Sequence, residues 1–365
     1  MEVSFSDEVP LSLSLVVQER SAVGEARRAA ASLTAQLGMS EEDGGRLALV
    51  LTEAANNVVQ HGDGGEVVVR PLARGPGRGA EVLVLDRGAG IADVSSALRD
   101  GYSTAGTPGT GLGAVARVAD WFDIYSGPGQ GTVVVARVWN REGQAPAPAH
   151  LRSAGLEMGV VCLPYRGEFV CGDAWTAAAT EQGALLMVAD GLGHGPAAAA
   201  AAAAAVRVFR ERSSRAPAEL LADIHAALRS TRGAAVAIAL LDRGRREIRY
   251  AGVGNIAGTV VTGLDTRSMV SHNGTVGHEL RKIQEFVYPW PEHAMVVMHS
   301  DGLQTHWRLD RYDGASARHP AIVSGLLYRD FNRGRDDVTV LAVRESTGES
   351  LLGDLPVGGP GQPRD

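Results

Sequence analysis

Between Asn140 and His150 the chain reads NREGQAPAPAH. Proline and alanine there replace periodic apolar residues, and such a stretch is semi-extended, a linker rather than part of a core. This seam constrains the fold more than any other feature, because it divides 365 residues into two lengths that must each bury a core. The expected organisation is a first domain over 1–139, a Pro/Ala linker over 140–152, and a second domain over 153–345. The polar, Gly/Pro-rich stretch 346–365 reads as a frayed tail.

The two lengths carry different patterns. Before the seam, helical periodicity covers Ala22–Leu37 and Glu41–His61. Strand patterns follow at Glu66–Pro71 and Glu81–Leu85, then a helix at Leu112–Ala119 and strands at Phe122–Ser126 and Gly131–Val138. That order predicts an α+β domain with helices on one face of a sheet. After the seam strands dominate, at Met158–Leu163, Glu168–Cys171, Ala184–Ala189, Ala234–Leu241, Glu247–Ala251, Ile256–Val261, Met295–His299 and Val338–Val343. Helices at Pro196–Arg212, Ala216–Ser230 and His319–Phe331 interrupt them, which predicts a β-sandwich covered by helices.

Composition excludes several classes. A 45% apolar and 21% charged chain is globular rather than disordered. Its net charge of −7 is spread without a basic stripe, which argues against a nucleic-acid partner. No apolar run approaches the roughly 18 residues that span a bilayer, and MEVSFSDEVP lacks the basic-then-apolar plan of a signal peptide. The two cysteines, Cys162 and Cys171, fit neither a zinc site nor a disulfide framework. A cytoplasmic protein is expected.

In LALVLTEAANNVVQHG the residues Leu47, Val50, Leu51, Ala54 and Val58 form one helical face, while Glu53, Asn57 and His61 form a second, polar stripe. Two glycine loops accompany the stripe. VLVLDRGAGI ends a strand on Asp86, followed by Gly88 and Gly90; GTPGTGLGA carries Gly109, Gly111 and Gly113 into a helix. Glycines before a helix let backbone N–H groups approach an anion at the positive end of the helix dipole. Neither loop is a Walker loop, which needs Gly-Lys-Ser/Thr, and the order does not fit a Rossmann unit.

These three elements, in this order, resemble the GHKL (Bergerat) ATP-binding fold of histidine kinases and anti-sigma factors. TEAANNVVQHG, DRGAGI, GTGLGAVARVADWFDIYS and GPGQGTVV are most similar to the small serine kinases of stress and sporulation switches, in particular the stressosome switch kinases of the RsbT type. The resemblance implies ATP with Mg²⁺ in this domain. It implies Glu53 as general base for an attacking serine hydroxyl and Asn57 as magnesium ligand. Asp86 would bind the adenine amino group beside Gly88 and Gly90, and Gly109 to Gly113 would cover the phosphates in a mobile lid. His61 is expected to be structural.

In the second length, aspartates recur where strands begin or end: CGDAW (Asp173), ALLMVADGLGHG (Asp190), MHSDGL (Asp301) and GRDDVTVLAV (Asp336, Asp337). One Asp-Gly pair is a turn former. Four such places at one end of a sandwich would repel unless cations stood between them, and an all-oxygen donor set points to Mg²⁺ or Mn²⁺. GEFVCGDAW, ADGLGHG, HNGTVG and DDVTVLAV resemble the PPM-type metal-dependent phosphatases, in the sporulation-stage-II-E branch and its RsbX-type members. The implied architecture is an α-β-β-α sandwich with two Mn²⁺ or Mg²⁺ ions. Asp190 would bridge them with the Gly191 carbonyl, Asp173 would serve one and Asp301 and Asp336 the other, and the pair would activate a water against phosphoserine. Asp337 is expected to support the ligands, and His194 to shape its loop. Gly252, Gly254, Gly274 and Gly277 read as turn glycines. Arg166 stands in a strand turn without an assigned phosphate contact.

Together these readings predict a bifunctional switch, a serine kinase fused to a phosphoserine phosphatase. The resemblance implies STAS-domain antagonist proteins as substrates, in the setting of a stressosome complex or a sigma factor, and leaves a homodimer open. The alternative is a partner-sequestering ATP-binding module joined to a catalytic phosphatase.

Overall fold

The computed structural model describes residues 12–74, 77–99, 111–141, 155–263, 265–280 and 282–346. A short strand the sequence reading missed comes first, β1 (Leu13–Val17), followed by α1 (Ser21–Leu37) and α2 (Glu41–His61). The α2 N-terminus is well specified. Ser40 accepts the Asp43 amide at 3.2 Å, and Glu41, Glu42 and Asp43 place negative charge at the positive end of the helix dipole. Then come β2 (Gly65–Arg74), β3 (Gly77–Asp86), α3 (Val94–Ala97), α4 (Gly111–Val118), β4 (Trp121–Ser126) and β5 (Thr132–Trp139). The strands make one antiparallel sheet in the order β1-β2-β3-β5-β4.

The second length supplies β6 (Leu156–Leu163), β7 (Asp173–Ala179), β8 (Gly183–Gly191), α5 (Pro196–Glu211), α6 (Pro217–Ala227), β9 (Ala234–Asp242), β10 (Glu247–Val253), β11 (Ala257–Thr262), β12 (Asp265–Met269), β13 (Phe286–Pro289), β14 (Met295–His299), α7 (Pro320–Phe331) and β15 (Val338–Glu345). They form two further five-stranded sheets, β13-β10-β9-β8-β7 and β12-β11-β14-β15-β6. The expected strand at Glu168–Cys171 is a loop. Here the chain crosses from β6 in one sheet to β7 in the other, and the amides of Tyr165 and Gly172 are taken by the Asp337 carboxylate instead of a ladder.

Strand parity assigns every face. Along β9, Ala235, Ala237, Ala239 and Leu241 meet the facing sheet, while Ala234, Val236, Ile238 and Leu240 pack under α5 and α6. Along β15, Leu341 and Val343 point into the sandwich, and Val338, Val340 and Ala342 point out onto α7. Along β3, Ala80, Val82 and Val84 face α1 and α2, but Leu83 and Leu85 face α7 as well. The outer face of the first sheet is therefore covered by a helix from beyond the seam. The first domain's own helices lie on one face of its sheet, as expected, and what the sequence did not show is that α7 of the second domain lies between two sheets, so that the stack reads α-β-β-α-β-α. No helix among the described residues is long and apolar enough to cross a membrane.

Candidate functional site

Two sites stand at strand ends in this stack. The first is a cavity of about 700 Å³ between α2, β3, β5 and α4, lined by Glu53, Asn57, Asp86, Gly90, Gly111 and Thr132 among others. That volume suits a nucleotide-sized ligand. The apolar face of α2 is locked into the core through Leu47, Val50, Leu51, Ala54 and Val58, which leaves Glu53 and Asn57 facing the cavity one turn apart. The first turn of α4 closes against them. A Cβ on Gly111 would stand 2.7 Å from Asn57 Oδ1 and 3.3 Å from Glu53 Oε2, so a side chain there would push the ends of both residues aside.

Asp86 ends β3 with its carboxylate held: Oδ1 accepts the amides of Gly88 at 2.9 Å and Thr132 at 3.1 Å. Burial raises its pKa against the opposing pull of those amides. Gly88 packs its backbone on the end of α2 at His61 and Gly62, and Gly90, at φ +73°, packs on Gly127; a side chain at either would overlap main chain. Gly113 packs on the Leu98 carbonyl in the same way. Gly109 lies outside the described residues. Thr132 was not singled out from sequence, although it sits in the quoted GPGQGTVV; its hydroxyl lies 2.9 Å from Ser126 Oγ, which braces the strand that supports Asp86.

The second site is the carboxylate end of the sandwich. Asp173 and Asp190 are register partners across β7 and β8. Asp301 follows β14, and Asp336 immediately precedes Asp337 at the start of β15. Burial, then the charges of Asp173, Asp301, Asp336 and Asp337, push the Asp190 carboxyl up to about 9. Asp173 is also raised, by burial first. Its Oδ2 is buried without a hydrogen-bond partner, which is an anomaly for a protein carboxylate. Among the described residues no three His, Cys, Asp or Glu side chains close around a single point. A small divalent cation does not need three, since Mg²⁺ keeps several waters and takes one or two carboxylates. An oxygen-only donor set, mutual repulsion and an orphaned carboxylate oxygen fit divalent cations at this place.

The remaining residues divide into ligand candidates and supports. Asp337 is spent on the Tyr165 amide at 2.7 Å and the Gly172 amide at 2.9 Å, so it ties down the loop that carries Asp173. Asp336 Oδ1 accepts the Asp337 amide at 2.9 Å. Asp301 Oδ2 accepts from Asn255 Nδ2 at 2.6 Å. Asn255 follows a glycine read only as a turn, and the sequence held no sign of its role. Gly191 donates its amide to the Gly172 carbonyl at 3.1 Å and packs its backbone on Ala198 of α5. His194 Nδ1 lies 2.8 Å from Glu168 Oε1 in a half-exposed contact that fastens its loop. Arg166 sits in the turn after β6 and, with Asp336, lines a groove between the two lengths of chain.

Residues 16–138 match the family described as the histidine kinase-like ATPase domain, and residues 180–345 match stage II sporulation protein E (SpoIIE). The serine/threonine-protein kinase RsbT of Bacillus subtilis is 31% identical over 116 residues, which are 32% of this chain and 87% of that protein. A solved structure from work on the bacterial stressosome, as a modular system adapted to control secondary messenger signalling, is 28% identical. It covers 52% of this chain and 99% of its own, with a TM-score of 0.49. RsbX in complex with magnesium is 20% identical over 55% of this chain and 98% of its own, with a TM-score of 0.45.

Proposed function

The chain belongs to the histidine kinase-like ATPases over its first part, as a homologue of RsbT, and to the SpoIIE-type PP2C phosphatases over its second; from that premise we propose that it is a bifunctional switch enzyme. Its first domain, 1–139, phosphorylates a serine of a partner protein at the expense of ATP. Its second domain, 153–345, hydrolyses phosphoserine. The linker 140–152 joins them, and the partners are STAS-domain antagonists in a stressosome or sigma-factor circuit.

In the first domain Asp86 accepts the adenine amino N–H, which selects adenine, while Asn57 offers an amide oxygen to Mg²⁺ at the phosphates. Glu53, one helical turn away, takes the proton of the attacking seryl hydroxyl. In the second domain Asp173, Asp190, the Gly191 carbonyl, Asp301 and Asp336 would hold two divalent cations. Bound there, such cations would supply charge neutralisation at the phosphoryl group and acidify a water. Asn255 orients Asp301, and Asp337 keeps Asp173 in reach.

The observation that carries the kinase half is the placement of Glu53 beside Asn57 in the nucleotide-sized cavity. A module that only sequesters its partner, using ATP to set its shape, would have no need of a base there. The test is transfer of ³²P from ATP to a STAS antagonist and its release with Mn²⁺. A protein that does neither overturns the proposal. Stoichiometric partner capture with unchanged ATP turnover in Glu53→Ala would establish the sequestering reading in its place.

A further inference from the structure

Helix α7 packs against the elements that carry both candidate sites. Its Pro320–Phe331 span is buried almost throughout. Ile322, Leu326 and Leu327 share a single core with Leu83, Leu85, Val133 and Val135 of the first sheet and with Val161, Val297 and Val340 of the third. At Gly325 a Cβ would meet Leu83 at 2.9 Å and Val133 at 3.0 Å, so helix and first sheet are in direct backbone-to-side-chain contact.

The end of α7 reaches both sites. Arg329, whose side chain is 5% exposed, donates from Nη1 to the Asp86 carbonyl oxygen at 2.9 Å. Its Nε and Nη2 grip Asp330 at 3.0 and 2.7 Å, and Asp330 in turn meets Arg87 Nε at 3.3 Å and the Tyr312 hydroxyl at 2.6 Å. The turn that carries the adenine-reading carboxylate is thereby clamped by the second domain. One residue further on, the same chain holds the other site. Gln304 donates its amide to the Phe331 carbonyl at 2.9 Å, Arg333 donates its amide to the Gly302 carbonyl at 2.8 Å, and Leu303 bridges Asn332. Those bonds fix the loop that follows Asp301, and Asp336 stands three residues after Arg333.

We infer that Arg329 is a positioning residue of the nucleotide site, and that α7 couples occupancy of that site to occupancy of the metal site. The inference rests on the two-site reading above. Two packed arrangements of a buried helix between two sheets can be biased from either side, and such coupling must be reciprocal.

The experiment uses the full chain. Mn²⁺-dependent hydrolysis of p-nitrophenyl phosphate is followed at buffered free Mn²⁺, with and without saturating ADP, and ADP affinity is measured at one saturating Mn²⁺ in the wild type and in Asp190→Asn, so that the nucleotide site meets the same cation and only occupancy of the phosphatase site differs. ADP should shift the half-activating Mn²⁺ about five-fold or more, in either direction, and occupancy of the phosphatase site should shift the ADP Kd by the same factor. Arg329→Met should remove the shift. Because Arg329 is buried, Arg87→Ala provides a second variant at an exposed position; it should keep the hydrolysis and reduce the shift. Equal Mn²⁺ requirements with and without ADP overturn the inference, as does a shift unchanged in both variants. Lack of any hydrolysis would instead defeat the phosphatase assignment, and lack of ADP binding the kinase assignment.

Discussion

Replacing Asp190 by Asn should make the metal-free protein more stable while destroying its phosphatase activity. Burial and four neighbouring carboxylates raise this group from 3.8 to about 9 in the folded chain. A carboxyl raised on folding contributes its full share of stability only below its unfolded pKa, and that share is lost as pH climbs from 3.8 toward 9. At pH 7 about three pH units of that window have been crossed, an upper limit of ~4 kcal/mol at ~1.4 kcal/mol per unit. Coupled titration with the neighbouring carboxylates and incomplete burial lower the cost felt, to ~2 kcal/mol. Asn keeps the shape and carries no charge, so Asp190→Asn should recover that amount.

The assay is thermal and urea unfolding of both proteins in EDTA at pH 5 and pH 8. The variant should be ahead by about 2 kcal/mol, on the order of 4 °C, at pH 8, with a smaller lead at pH 5. Millimolar Mn²⁺ should reverse the order, because a cation that binds only the folded state stabilises the wild type by mass action and finds a weaker site in the variant. A variant less stable than wild type at pH 8 in EDTA would refute the electrostatic account. Equal stabilisation of both proteins by Mn²⁺ would refute the assignment of Asp190 as a ligand.

Three further outcomes are expected. Glu53→Gln should lower phosphotransfer by about 10²-fold or more while leaving ADP affinity within about three-fold, as isothermal titration would record. Gly111→Ala should weaken ADP binding by about three-fold at most in the same titration, since its Cβ, 2.7 Å from Asn57 Oδ1, would displace only the movable end of that side chain. Glu81, 3% exposed, lies 2.7 Å from both Arg70 and Arg137, and those guanidiniums overcome its burial to hold its carboxyl at about 2. That stability is present above pH 4.5 and fades as pH falls toward 2. Glu81→Gln should cost ~3 kcal/mol at pH 7 in urea titration, and the difference should shrink in acid.

Much of the placement of the candidate residues was legible because apolar runs that stop on a carboxylate mark strand ends. Asp86 and Asp190 were readable on that ground, as was the Glu53–Asn57 stripe from helical spacing. What escaped has physical reasons. β1 and β13 are too short to show a period, and the alanines of β7 carry little strand propensity. Asn255 acts through one hydrogen bond to Asp301, across a distance of 46 residues that no local pattern records.

The placement of α7 escaped for a different reason, and it matters most for how the chain works. The helix itself was predicted at His319–Phe331, yet its apolar residues are not confined to one stripe, which is the mark of a helix buried on all sides. Strand β3 carried the matching sign, a continuous apolar run over Val82–Leu85 where a sheet wet on one face would alternate. Read separately, each is a quirk of its own domain. Together they say that each length leaves one apolar face to the other: Leu83 and Leu85 are covered by α7, and α7 is covered by the first sheet. A Pro/Ala seam therefore joins parts that share a core, and the turn holding Asp86 and the loop holding Asp301 are anchored to the two sides of one helix end. Motion at either must be absorbed by that helix or resisted by it, so on the proposed two-activity reading the helix end is where control is to be sought.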